Sequence, residues 1–283
     1  MVNRPAVFAG QFYESDPEEL RSRIEWCFKH ELGPGRLPEP ARVRNKEAVG
    51  YIVPHAGYIY SGPVAAYAYL SISLEGLPHT FILIGPNHTG VGPAISVFPE
   101  GFWETPLGDV EIDSDLVAEI VKHSKFVKLD TSAHEREHSL EVQLPFLQYI
   151  FGSTFKIVPI TMLYQTPETA KDLASAIRRA VEELGRDATV ISTTDLTHYE
   201  PHELALRKDE EVLKKVEAVD PEGLYSVVIE KDISMCGVGP VMTILYLSIQ
   251  IGRRRSKLLK HATSGDVTGE RSWVVGYASL AVY

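Results

Sequence analysis

Three short segments place histidine or aspartate directly after apolar runs: Pro54-His55-Ala56-Gly57-Tyr58, Gly85-Pro86-Asn87-His88-Thr89-Gly90 and Thr194-Asp195-Leu196-Thr197-His198-Tyr199. Neutral imidazoles are good donors to zinc, copper and iron, so His55 and His88 with a third, anionic donor would hold a cation and leave coordination positions open. Two side chains could be that donor. Asp195 would complete a two-histidine, one-carboxylate face. Cys236, in Met235-Cys236-Gly237-Val238-Gly239-Pro240, would make a softer set and shift selectivity towards zinc, copper or thiolate-bound iron. Glycines and an apolar run follow Cys236, which predicts a helix N-terminus whose partial positive charge lowers a thiol pKa. Taken singly, each residue has an ordinary reading: a histidine after a strand is a hydrogen-bonded loop residue, and a cysteine in an apolar stretch is packing. Recurrence at equivalent strand ends is what points to one shared site.

His134-Glu135-Arg136-Glu137-His138 fits the H-E-x-x-H zinc motif, in which two histidines one helical turn apart share a face and the glutamate polarises water. Its surroundings argue against a hydrolase. Thr131-Ser132 reads as a cap that puts the motif in a first turn or loop, and Pro145 interrupts soon after. His138 and Glu141 are therefore expected in a site wall or as supports behind the ligands, with His134 a weaker candidate. Asp195 and His198 could act as an acid/base pair or orient metal ligands, although Asp195 and Thr197 also suit the capping of a helix starting near His202. No G-x-S-x-G elbow, Walker loop or G-x-G-x-x-G fingerprint occurs in the chain, so serine-hydrolase chemistry and bound ATP or NAD lose their best support.

The elements that would position these groups follow from hydrophobic period. Strands are expected at Ala48 to Val53, Phe81 to Ile84, Phe155 to Thr161, Ala188 to Thr193, Leu258 to Thr263 and Val274 to Val282, several of them apolar on both faces as buried strands are. Helices are expected near Asp16 to Glu31, Val64 to Ser71, Ser114 to His123, Ser139 to Phe151, Pro167 to Leu184, His202 to Val219, Pro221 to Val228 and Gly239 to Ile251, with Trp103 to Ile112 an inserted β-ribbon or loop. The alternation predicts one α/β domain over residues 1–283, its central sheet mainly parallel or mixed and flanked by helices. In such sheets ligands sit beyond the carboxyl ends of the strands, where these polar segments fall.

The 283 residues are 44% hydrophobic and 23% charged, which suits a folded globular chain. A formal net charge of −10 repels nucleic acid and anionic lipid, and the short run Arg253-Arg254-Arg255 does not reverse it. Without an apolar stretch of membrane-spanning length or a signal-like N-terminus, the expected location is the cytoplasm. Cys27, in an amphipathic run, reads as core filler.

The same motifs carry a resemblance. His55 with Tyr60-Ser61-Gly62, Gly85-Pro86-Asn87-His88, Glu137-His138-Ser139-Leu140-Glu141 with Leu144-Pro145, Thr194-Asp195 with His198, and Cys236-Gly237 are similar to those of the Memo family, from Arg4-Pro5-Ala6 and Gly10-Gln11-Phe12-Tyr13 to the closing strand. The resemblance implies an α/β fold like that of the class III extradiol dioxygenases, iron enzymes that open catechol rings. It further implies a pocket in which His55, His88 and Cys236 bind iron or copper, Asp195 lies close by, and redox activity comes from the metal. It also implies, for prokaryotic members, a functional association with a radical-SAM protein. The dioxygenases use a carboxylate as third ligand, so Cys236 in that place carries over the pocket without the ring-opening reaction. The leading expectation is a metal-dependent redox protein with Fe(II) or Cu, zinc being a third option. In it His55, His88 and Cys236 hold the ion, and Asp195, His198 and His138 shape the binding of a small-molecule or peptide ligand. The alternative is a binding module that uses the same pocket without turnover.

Overall fold

The computed structural model describes residues 2–283. In chain order the elements are β1 (Val2–Arg4), α1 (Pro17–Lys29), β2 (Gly50–Val53), α2 (Tyr58–Glu75), β3 (Thr80–Pro86), β4 (Ile95–Val97), β5 (Gly101–Thr105), β6 (Gly108–Ile112), α3 (Ser114–His123) and β7 (Val127–Leu129). A 3-10 turn, Glu141–Gln143, then leads into α4 (Leu144–Phe151), β8 (Lys156–Met162), α5 (Pro167–Leu184), β9 (Ala188–Thr193), β10 (His198–Glu200) and α6 (His202–Glu217). The chain closes with α7 (Pro221–Glu230), α8 (Val238–Gln250), β11 (Ser256–Thr263), α9 (Ser264–Thr268) and β12 (Val274–Val282).

The strands form one mixed sheet in the order β1-β5-β6-β8-β3-β9-β2-β12-β10, with β11 on β12 and β4 between β8 and β7. Its centre, β8-β3-β9-β2, is wholly parallel. Every residue of β2, β3 and β9 is buried, as expected for strands covered on both faces, and this is why their sequences do not alternate. Helix α8 packs on β3 and β9 and against α5, while α2 packs on β2 and β12 and against α1. Fully burying a residue such as Phe81, Ile82 or Leu83 stabilises by about 1.5–3 kcal/mol each, so the parallel centre is a rigid platform.

Register puts the carboxyl ends side by side. Val53 of β2 pairs with Thr193 of β9, and Ile84 of β3 pairs with Ser192. His55, His88 and Asp195 therefore leave the sheet at one edge. Helix α2 begins at Tyr58, six residues before the expected start, and carries Pro63 in its interior. The expected helix from Ser139 is a turn and 3-10 segment until Leu144. Residues 103–112 fall in a β-hairpin, β5 with β6, built into the sheet through β6 and β8.

Candidate metal centre

His55 is placed by two groups from the neighbouring strand end. Its backbone N–H donates to Asp195 Oδ1 (2.9 Å), and its Nδ1 lies 2.8 Å from Thr193 Oγ1. With Nδ1 donating to the hydroxyl, the lone pair is on Nε2, which stands 3.2 Å from Cys236 Sγ. Burial, then the neighbouring His88, lowers the His55 pKa well below the ordinary imidazole value, so the ring is neutral.

His88 is held by one carboxylate through two atoms. Its backbone N–H donates to Glu137 Oε2 (2.6 Å) and its Nδ1 meets Glu137 Oε1 (2.9 Å), while the Ser139 N–H donates to the same carboxylate at 2.9 Å. Burial alone would raise the Glu137 carboxyl, but the His88 hydrogen bond and charge outweigh it and hold its pKa at about 2. For His88 burial pulls down, and Glu137 more than reverses it, so the net shift is upward. A carboxylate behind a histidine in this way fixes the tautomer and aims Nε2 outward.

Cys236 arrives from the far side of the sequence. Gly237 lets it in: a Cβ there would lie 2.3 Å from the Thr193 carbonyl oxygen. The Asp195 N–H points at Cys236 Sγ (3.2 Å). Sγ and the ring nitrogens of His55 and His88 lie within 4.8 Å of one another. The expected depressed thiol pKa is not found. Cys236 stands ahead of the Gly237 cap of α8, and burial, then Asp195, pushes its thiol up. A thiol so placed becomes a thiolate ligand only when a cation replaces its proton.

The other expected residues divide. Asp195 and Thr197 do not cap α6, whose N-cap is Pro201 without a side-chain bond. Asp195 Oδ1 instead braces His55, its Oδ2 stands 4.0 Å from His55 Nε2, and burial raises its carboxyl pKa. His198 is pinned through Nδ1 to the Ser234 carbonyl (2.7 Å) at the cavity edge. His138 joins the cluster, its ring centroid 5.4 Å from His55 and 4.7 Å from His88 in a near-parallel stack. Burial, then His55, lowers His138 to about 3. The H-E-x-x-H reading fails on geometry. Residues 134–138 are turn and coil, His134 is fully buried against Phe98 and Trp103 with Nε2 on Ser96 Oγ (3.0 Å), and Glu135 is exposed.

Sequence reasoning missed the scaffold behind these ligands. Glu141, wholly buried, accepts from Arg4 Nη1 (2.6 Å), the Val7 and Phe8 N–H groups and Tyr13 Oη (2.7 Å). Arg4 also donates to the carbonyls of His134 (2.6 Å) and Glu137 (2.8 Å). The N-terminal segment is thus locked onto the loop that presents Glu137, and Phe12 is laid over His138 at 4.5 Å. Glu141, expected at the site, lies behind it and off the cavity lining, and nothing in the sequence pointed to Arg4 as its partner.

The candidate ligands open into a cavity of about 890 Å³. A smaller one of about 250 Å³, lined by Ile82, Ile177 and Leu247, has no comparable donors. Away from both ligand cavity and sheet edge, Glu119, His123 and Glu183 also cluster, but Lys122 already bridges the two carboxylates.

The family model for Memo, described as "Memo-like protein", matches residues 4–281. The chain belongs to the Memo family. A MEMO1 family protein of Ignicoccus hospitalis is 56% identical over 280 residues, covering 99% of this chain and 98% of that relative. The MEMO1 family protein of Methanothermobacter thermautotrophicus is 52% identical over 281 residues (99% and 100%). That of Sulfolobus acidocaldarius is 48% identical over 282 residues (99% of each). Among solved structures, an uncharacterized protein from Escherichia coli K12 superposes with a TM-score of 0.53 at 14% identity, over 83% of this chain and 99% of that one, which is a likeness of fold alone. Among the described residues no helix is long and apolar enough to cross a membrane.

Proposed function

We propose that this Memo-family chain is a metal-dependent redox protein that holds Fe(II) or Cu through His55, His88 and Cys236. The observation that carries the reading is the convergence of three donor atoms within 4.8 Å, with the Nδ1 of each imidazole occupied elsewhere so that Nε2 is left for a cation. Two imidazoles and a thiolate suit iron, copper or zinc better than magnesium or calcium. When bound, iron or copper supplies one-electron chemistry and a Lewis acid beside the cavity. Glu137 keeps His88 oriented and Thr193 keeps His55 oriented. His138, neutral at ordinary pH, accepts no hydrogen bond from another side chain among the described residues and offers its free nitrogen to a substrate proton. Asp195 Oδ2 faces the same space, and Phe12 shields His138 from bulk water.

Metal analysis after anaerobic purification tests the centre. The wild type should carry close to one equivalent of iron or copper, and His55→Ala and Cys236→Ala should each lose most of it. Equal content in all three proteins removes the site. Oxygen uptake by the iron-loaded protein with a panel of catechols then tests turnover; substrate binding that survives metal removal, with no uptake, would favour a binding module.

A further inference from the structure

The wall of the large cavity carries a charge pattern that the metal reading does not require. Among the described residues, no lysine or arginine lines it. Arg4 pairs with Glu141, Arg271 with Asp266 and Lys208 with Glu200. Two carboxylates do face or back the cavity, Asp195 in the wall and Glu137 directly behind His88. Should a divalent ion bind, the Cys236 thiolate and these two carboxylates together outweigh its charge. Among the described residues, an organic phosphate or carboxylate would find no lysine or arginine in the wall to meet it.

The rest of the wall is aromatic. Phe12, Tyr60, Tyr199, Trp273 and Tyr277 all line it, and three of them stand at the mouth, Tyr60 40%, Tyr199 68% and Trp273 71% exposed. Tyr199 holds that position against its own backbone, with φ at 56°, in the left-handed region that L side chains rarely adopt. The neighbouring His198 fixes it there, its N–H donating to Ser234 Oγ (2.7 Å) and its ring bonded to the Ser234 carbonyl. A strained, solvent-facing tyrosine contributes nothing to a core. Aromatic faces do attract planar apolar groups and cations.

We infer that the ligand of this cavity is a small aromatic molecule bearing an ammonium group, its ring against Tyr199 and Trp273 and its charged end towards Asp195, and that organic anions are excluded. This deepens the proposed function and rests on its reading of the cavity as a substrate site. Asp195 Oδ2, which accepts no hydrogen bond from the described residues, is the acceptor available to the ammonium.

Calorimetric titration of the full-length, metal-free protein separates this from the metal hypothesis, because binding is read without activity. The probes share one ring and one linker: 2-phenylethylamine, 2-phenylethanol and 3-phenylpropionate. The amine should bind about tenfold more tightly than the carboxylate, with the alcohol between. Tyr199→Ala and Trp273→Ala should each weaken the amine roughly fivefold. Asp195→Asn, which keeps an acceptor for the His55 N–H, should bring the amine down to the level of the alcohol, with an unchanged circular dichroism spectrum showing that it folds. A carboxylate that binds as tightly as the amine, an amine preference that survives Asp195→Asn, or no binding by any probe at millimolar concentration would each overturn the inference. Loss of metal from the His55 and Cys236 variants bears on the metal centre alone and leaves these outcomes readable.

Discussion

Glu137→Gln is the most informative single change, because one buried carboxylate performs two separable tasks. It accepts the His88 N–H and His88 Nδ1, and it receives the Ser139 N–H. Glutamine keeps one oxygen, so it can still accept from one of the His88 groups, but its NH₂ must face the other. Charge-assisted hydrogen bonds contribute about 1.5–3 kcal/mol each, and exchanging one for a donor facing a donor costs stability of about 3 kcal/mol. The effect on the metal is distinct. Loss of the carboxylate leaves the His88 ring free to rotate and less basic, and metal affinity should fall roughly 10–100-fold. Both quantities are measurable on the same protein, stability by urea unfolding of the metal-free form and affinity by competition with a chromophoric chelator under anaerobic conditions. A variant that loses stability yet binds metal within twofold of wild type would show that Glu137 braces the loop without orienting a ligand, and the proposed centre would lose its His88 arm.

Glu141→Ala removes the partner of a buried arginine and strands Arg4 without a counter-charge, so unfolding free energy should drop by about 3–5 kcal/mol; a loss below about 1 kcal/mol in urea denaturation would mean that water or the Pro5 segment compensates. His134, lowered to about 3 by burial and then by Arg4, is neutral in the folded protein but takes a proton in the unfolded chain below about 6.5. The unfolded state therefore binds more protons between those values, and stability falls with falling pH, His134 alone contributing about 2 kcal/mol from pH 7 to pH 5 beside the similarly lowered His55 and His138. His134→Gln should flatten that part of the pH profile, and an unchanged slope would refute the assignment. Glu135→Gln, at an exposed position outside the cavity, should leave metal content unchanged and stability within about 0.5 kcal/mol; any larger effect would revive the hydrolytic motif.

Much of the platform was legible because its strands are buried on both faces. β9 and β12, and helices α3 and α5, begin and end where the apolar period does. The start of α2 was hidden by Gly62-Pro63, which reads as a breaker; Pro63 is tolerated inside the helix at the loss of one backbone bond. β1, β4, β7 and β10 are three residues each, too short for any period to show. The strand-end histidines could be read from sequence because parallel strands bring their carboxyl ends together. The Arg4–Glu141 pair could not, since nothing local distinguishes a buried ion pair from two solvated charges. Glu137 was not singled out for the same reason: nothing local marks a charged residue in a turn as buried, yet it is wholly so. The Cys236 thiol went the other way because burial outweighs a helix end that begins only after it.

The donor groups also set a timetable. His55 and His88 leave the ribosome early, but the cysteine that faces them comes at position 236, after both the β9 strand that braces His55 and the loop that orients His88. A nascent chain therefore has no complete binding set until most of it has been synthesised and the sheet has closed. On the proposed reading, loading of a cation would belong after translation, to a finished or nearly finished protein, and the pool of ion available at that moment, more than the order of intrinsic affinities, would decide what is captured.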